Sequence, residues 1–174
     1  YRRTVFQEQG AFDTRFPMAS GEDADFSFRL SDRGLRMVFN PEAVVYHVHP
    51  TTLGKYLRQK YWRAYWRNLI YRRHLSKMWK DSYTPNTLKL QTLLGLVFPA
   101  SLAGLFVGLP WSFAPVLTLL AILLLSVPFT CWVARHSLPL ALVTPLVLFL
   151  RTFVLAAGTA HGAIKGLWVK KDFL

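Results

Sequence analysis

Apolar and polar positions change their pattern sharply along this chain. Up to about Lys89 apolar residues are interleaved with charge; from Leu90 to Trp168 they run nearly unbroken, without one Asp or Glu. Tyr1 to Phe12 reads as a short helix or turn ending in Gly10-Ala11-Phe12-Asp13, and Phe16 to Gly21 as a loop by its Pro, Ser and Gly. Glu22 to Arg33 fits a 3.6-residue period, with Ala24, Phe28 and Leu30 to one side and Asp25, Arg29 and Asp32 largely on the other. Gly34 predicts its end. Leu35–Phe39 and Ala43–His49 predict two strands around an Asn40-Pro41 turn, the second closed by Pro50. Thr51 or Thr52 can then cap a long helix. On it Leu57, Tyr61, Tyr65 and Leu69 form one row, Trp62, Trp66 and Ile70 the next, and Lys60, Arg63 and Arg67 the remaining arc. Aromatics opposite cations describe either a helix lying in a membrane interface or one packed by its aromatic face on a core.

The apolar half predicts two membrane spans, near Leu90–Leu109 and Phe113–Ala134, each about the 20 residues that a bilayer core requires. A third run, Leu138–Ala157, carries Arg151. A central Arg costs ~2.5–3.5 kcal/mol on insertion scales, so this run either spans with Arg151 sheltered or dips in and returns. The basic tail Lys165, Lys170 and Lys171 favours the cytoplasm and an even number of crossings, leaving two against three open.

Charge narrows the choice of partners. The net charge is +12, and Lys55, Arg58, Lys60, Arg63, Arg67, Arg72, Arg73, Lys77 and Lys80 crowd just ahead of the apolar half. Basic residues there mark the cytoplasmic flank of a first span and attract anionic lipids, at ~1 kcal/mol each near the surface. A nucleic-acid partner has no stacking motif, zinc spacing or helix-turn-helix to support it. The single Cys131 allows no disulfide within the monomer. The chain opens on Tyr1, and Tyr1-Arg2-Arg3 leads into no signal-peptide run, so it reads as cut from something longer.

The candidate chemistry sits in Gly21-Glu22-Asp23-Ala24-Asp25-Phe26-Ser27-Phe28-Arg29-Leu30. Read alone, its carboxylates could be an acidic first helical turn favoured by the dipole. Yet this stretch resembles the G-E-D-x-D-[LF]-x-x-R-[LA] pattern of glycosyltransferase family 2. Arg2-Arg3-Thr4-Val5-Phe6 with Gly10-Ala11-Phe12-Asp13, Gly34-Leu35-Arg36-Met37-Val38, and Pro41-Glu42-Ala43-Val44-Val45-Tyr46-His47 resemble that family's neighbouring motifs, in order and over about Tyr1 to Trp66.

The resemblance implies an α/β fold over residues 1–53, the acceptor-side part of a Rossmann-like GT-A domain. A basic interfacial helix or linker over 54–88 and a transmembrane helical region over 89–174 would follow. It implies an inverting, membrane-bound transferase that moves a hexose-type sugar from a nucleotide-sugar to a lipid-linked or cell-surface glycan acceptor. Asp23 would be the general base and Glu22 would orient the base or acceptor. A divalent metal (Mg or Mn) would accept His47 as a ligand, although a hydrogen-bonded strand-end histidine is the plain reading of the same residue. Asp25, His49 and Arg63 are candidate substrate contacts. Asp23-Ala24-Asp25 spells D-x-D but occupies the base motif, so the donor-binding half and the remaining metal ligands are expected upstream. Gln59-Lys60-Tyr61-Trp62-Arg63 resembles the Q-x-x-R-W motif of processive synthases with the last two residues exchanged, which favours transfer of single sugars. The competing expectation is a non-catalytic membrane module for assembly or anchoring; an upstream D-x-D segment would discriminate the two.

Overall fold

The computed structural model describes residues 1–16, 21–80 and 84–168. Every regular element among them is a helix. The part of the loop from Pro17 to Ser20 and the basic tail residues Lys170 and Lys171 lie outside the described residues.

Two short helices open the chain, α1 (Arg3–Gln9) and α2 (Glu22–Asp32). They meet through rings: Tyr1, Phe6 and Phe12 surround the fully buried Phe26 with centroids 4.9, 5.0 and 5.4 Å from it. The end of α2 follows from Gly34, whose φ of +75° suits a residue without Cβ. Gly34 N–H donates to Ser31 O and Leu35 N–H to Leu30 O, which closes the helix as a Schellman motif. The buried face of α2 differs from the periodicity reading. Asp25, Phe26 and Leu30 face inward, because Asp25 meets cations there that neutralise it.

The expected strands do not form, and the α/β assignment is corrected accordingly: among the described residues there is no strand. The Asn40-Pro41 turn is present, with Ala43 N–H on Asn40 O and Glu42 N–H on Asn40 Oδ1. The flanking runs make no ladder, and Val45 and Tyr46 are 83% and 101% exposed. An isolated two-stranded hairpin is marginal without a packed face, and here neither run has one.

Helix α3 (Leu53–Arg73) starts where Thr52 Oγ1 accepts from Lys55 N–H, and α4 (Leu75–Lys80) continues it after a break at His74. The apolar half folds as α5 (Asn86–Ser101), α6 (Gly104–Val107), a 3-10 turn at Trp111–Phe113, α7 (Ala114–Leu124), α8 (Val127–Ala134) and α9 (Leu138–Trp168). Pro128 sits in the first turn of α8, where its missing N–H costs least, and the break at Leu125-Ser126 precedes it. Among the described residues three stretches are long and apolar enough to cross a membrane: Asn86–Val107, Trp111–Ala134 and Leu138–Trp168.

Small and polar residues hold these helices together, as in bundles whose outer surface is apolar. Gly95 of α5 lies against Thr152 and Ala156 of α9, so closely that a Cβ would come within 3.0 Å of the Ala156 methyl. The buried Gln91 of α5 ties three elements: its Nε2 donates to Ser126 Oγ (3.1 Å) and Ile122 O (3.4 Å), and its Oε1 accepts from Arg151 (3.0 Å). Gly158, Gly162 and Gly166, spaced four apart, line one stripe of α9 against Tyr61, Tyr65 and Arg72 of α3. Those pairings rise together along both helices, so α3 packs lengthwise and parallel on α9. Tyr61 Oη and His161 Nδ1 (2.6 Å), and Asn68 Nδ2 to Thr159 O (2.7 Å), secure the seam.

Candidate active site

The first turn of α2 carries Glu22, Asp23 and Asp25, where the helix dipole favours negative charge. Their side chains diverge. Asp23 is exposed, with Oδ1 accepting from Ala24 N–H at 2.8 Å. Glu22 Oε2 accepts from Gly21 N–H at 3.0 Å, at the mouth of the helix. Asp25 is wholly buried. The structure therefore presents Asp23 to incoming groups and commits Asp25 to the interior.

Around Asp25 lies a network that joins α2 to the loop after α1 and to the end of α3. Arg73 reaches Asp25 Oδ1 (2.9 Å) and Asp13 Oδ2 (3.0 Å) at once, a fork geometry that only a guanidinium supplies. Arg29 holds Asp25 Oδ2 through Nε (3.1 Å) and Ala11 O through Nη2 (2.8 Å). Arg15 grips Asp13 bidentately at 2.9 and 2.7 Å. His74 lies 3.4 Å from Asp25 Oδ1 and 2.8 Å from Asp32 Oδ2, and Lys77 completes the set 3.1 Å from Asp32. Ala11, Asp13, Arg15, Arg29, Arg73 and His74 line an open cavity of ≈ 340 Å³. Three guanidiniums and a single carboxylate, Asp13, on its lining make it a pocket suited to an anionic or oxygen-rich group.

Charge states follow from these contacts. The Arg15 hydrogen bonds hold the Asp13 carboxyl well below the usual carboxylate range. Burial pushes Asp25 up, but hydrogen bonds from His74 and Arg73, with the nearby Arg73 and Arg29 charges, more than reverse this. His74 is raised, first by its bond to Asp25 and then by Asp32, against burial.

The remaining sequence candidates lie elsewhere. His47 and His49 are exposed and close together, ring centroids 5.2 Å apart. Arg63 is exposed on α3, and none of the Asp25 contacts described above involves it. Among the described residues no group of three His, Cys, Asp or Glu side chains is arranged to hold a metal ion. Two imidazoles alone do not fit Mg or Mn, which ask for six mostly oxygen ligands. Asp13, Arg15, Arg73 and His74 escaped the sequence reading. Arg72-Arg73-His74 looked like the tail of a basic flank, and nothing in the spacing shows that Arg73 turns back 48 residues to Asp25.

The model of the family described as "Glycosyl transferase family group 2" matches residues 1–156. No curated protein and no solved structure matches the chain. A match over that much of the chain, with Glu22 and Asp23 set at the open end of α2, identifies the protein as a member of glycosyl transferase family group 2.

Proposed function

We propose that this chain is the acceptor-side and membrane part of an inverting, nucleotide-sugar-dependent glycosyltransferase acting at the cytoplasmic face of a membrane, with a lipid-linked or cell-surface glycan as acceptor. The observation that carries this reading is the family match over residues 1–156; three helices able to span a bilayer support the location. Residues 1–53 supply the acceptor side, 54–88 the basic helix and linker, and 89–174 the anchor. The departures at Gln59–Arg63 favour single-sugar transfer of a hexose type.

In this reading the acceptor O–H meets the exposed carboxylate of Asp23. A sugar hydroxyl is too weak an acid to ionise alone near neutral pH, so Asp23 takes its proton as the new C–O bond forms. The anomeric carbon inverts, and the nucleotide diphosphate leaves from the opposite side with the electron pair of the broken bond. Glu22, its Oε2 held on Gly21 N–H, orients the acceptor. His47 is kept as a candidate ligand only in company with oxygen ligands from outside this chain, and Asp25, His49 and Arg63 as candidate substrate contacts; no step is routed through a metal.

The test is Asp23→Asn in the complete enzyme. Loss of the general base lowers kcat by ~10²–10⁴ while donor affinity and folding stay nearly unchanged. Near-normal turnover of that variant would sink the assignment.

A further inference from the structure

Arg151 has no place in the chemistry above, and its surroundings are unusual. It is the fourteenth residue of α9, whose stretch from Leu138 is apolar enough to span. At 1.5 Å per residue it stands ~20 Å from Leu138, and so ~10 Å short of the far side of a ~30 Å apolar layer. From Leu90 to Trp168 the sequence holds no Asp or Glu to neutralise it. Its Nη2 donates to Gln91, an uncharged group already engaged with Ser126 and Ile122. Its Nε is buried without a hydrogen-bond partner among the described residues.

More positive charge lies on the same side. Tyr61 packs against Gly158, about two turns beyond Arg151, and α3 runs parallel to α9, so the residues before Tyr61 lead back toward the level of Arg151. Lys60 is the first of them. Burial, then the Arg63 and Arg151 charges, push its ammonium below the ordinary lysine range. Among the described residues neither Arg151 nor Lys60 has a carboxylate partner, and cations placed where water is scarce, one with an idle N–H, call for an anion.

We propose that Arg151, Gln91 and Lys60 form a seat for the phosphate of a membrane lipid, reached from the headgroup side where α3 packs on α9. The phosphate would answer the Arg151 Nε and the Lys60 ammonium, and its chain would lie along the apolar surface of the spans. That the occupant is the phosphate-bearing acceptor lipid, rather than a bulk phospholipid, rests on the transferase reading above; the seat itself does not.

The test uses the whole 174-residue chain in phosphatidylcholine nanodiscs, with bound lipid counted by native mass spectrometry and no donor sugar present. The probes are a polyprenyl phosphate, the matching polyprenol, phosphatidylglycerol and inorganic phosphate. Polyprenyl phosphate should be retained about tenfold or more over polyprenol, the difference being charge-assisted hydrogen bonds. Arg151→Gln should erase that preference and Arg151→Lys keep part of it. Lys60→Met, on a helix outside the spans, should weaken it and guards against misfolding of the Arg151 variants. Preference for polyprenyl phosphate over phosphatidylglycerol supports the acceptor; equal competition supports the seat and assigns it to structural phospholipid. Equal retention of phosphate and alcohol, an unchanged Arg151→Gln, or displacement of the lipid by millimolar inorganic phosphate would overturn the proposal. Failure of sugar transfer by the complete enzyme would leave this result untouched.

Discussion

Replacing Asp25 by Asn should open α2 from the rest of the protein while leaving the membrane helices intact. Asp25 is fully buried, and Arg73, with a side chain 13% exposed, spends one arm of its fork on it. Removing one partner of a buried ion pair costs ~3–5 kcal/mol. Here Arg73 keeps Asp13, Arg29 is part-exposed, and the Asn carbonyl still accepts one hydrogen bond, so the expected loss is nearer ~2–3 kcal/mol. At about 1.4 kcal/mol per decade, α2 should open roughly 30- to 150-fold more often. Native-state hydrogen exchange resolves this, because amides of Phe26 to Asp32 report opening of α2 and those of Leu148 to Ala156 report α9. Asp23→Asn is the matched control: it removes the same charge from the same helical turn but from an exposed site, where the dipole contribution is ~0.3–1 kcal/mol. Equal loss of protection in the two variants, or equal loss in α2 and α9, would refute the assignment of Asp25 as the clamp.

The same network predicts a pH window. The lowered pKa of Asp25 contributes stability that is complete above its ordinary 3.8 and lost as pH falls through the folded value. The raised pKa of His74 contributes stability complete below 6.5 and lost as pH rises through the folded value. Protection of α2, corrected for intrinsic exchange, should therefore be greatest between these values and decline above 6.5, and His74→Gln should flatten that decline. Gly162→Leu, whose Cβ would fall 2.5 Å from Tyr65 O, should pry α3 from α9 at ~1–3 kcal/mol of overpacking; an unchanged melting midpoint in detergent would count against the seam. Gln91→Leu should lower the same midpoint modestly, through a stability loss of ~0.6–1.7 kcal/mol as is usual for hydrogen bonds between membrane helices, and no change would mean that the Gln91 contacts are idle.

The helices were legible where local rules settle them. Thr52 caps α3, Gly34 ends α2, and the apolar runs became long helices because each satisfies its own backbone bonds. Residues 35–50 were not legible, because a strand is a property of a pair. Alternating apolar residues at Val44, Tyr46 and Val48 predict extended backbone, yet no neighbouring chain among the described residues completes a ladder. Within the candidate site, the place of Glu22 and Asp23 in the first turn of α2 was legible from the helical period after Gly21. Asp25 was placed on the polar side of α2 because a periodicity rule counts charge as solvent-facing. The cations that bring it inside come from 4, 48 and 49 residues away, and only the first separation leaves a mark in local sequence.

Helix α3 does two jobs that explain why it is both aromatic and basic. Its Tyr61 and Tyr65 lie on the glycine stripe of α9, where any Cβ would hold the helices apart. One and a half turns after Tyr65 comes Ile70, which reaches Gly21, the residue just before Glu22. Arg73 and, just past the helix, His74 then seize Asp25. A single rigid helix thus touches α9 along one length and, at its end, the turn of α2 that carries Asp23. Two contacts on one rigid body fix a distance, so the height of Asp23 above the apolar layer is set by α3 rather than by the exposed residues 35–50 that lead into it. For a transferase whose acceptor is anchored in the bilayer, that height decides which hydroxyl meets the base. Loosening either end of α3 should therefore impair transfer to a membrane-bound acceptor more than to a soluble analogue of it. Gly162→Leu and Arg73→Met act at opposite ends of that helix and should show the same bias. If both variants lost activity on the two acceptors equally, α3 would be a stabilising strut and not a ruler.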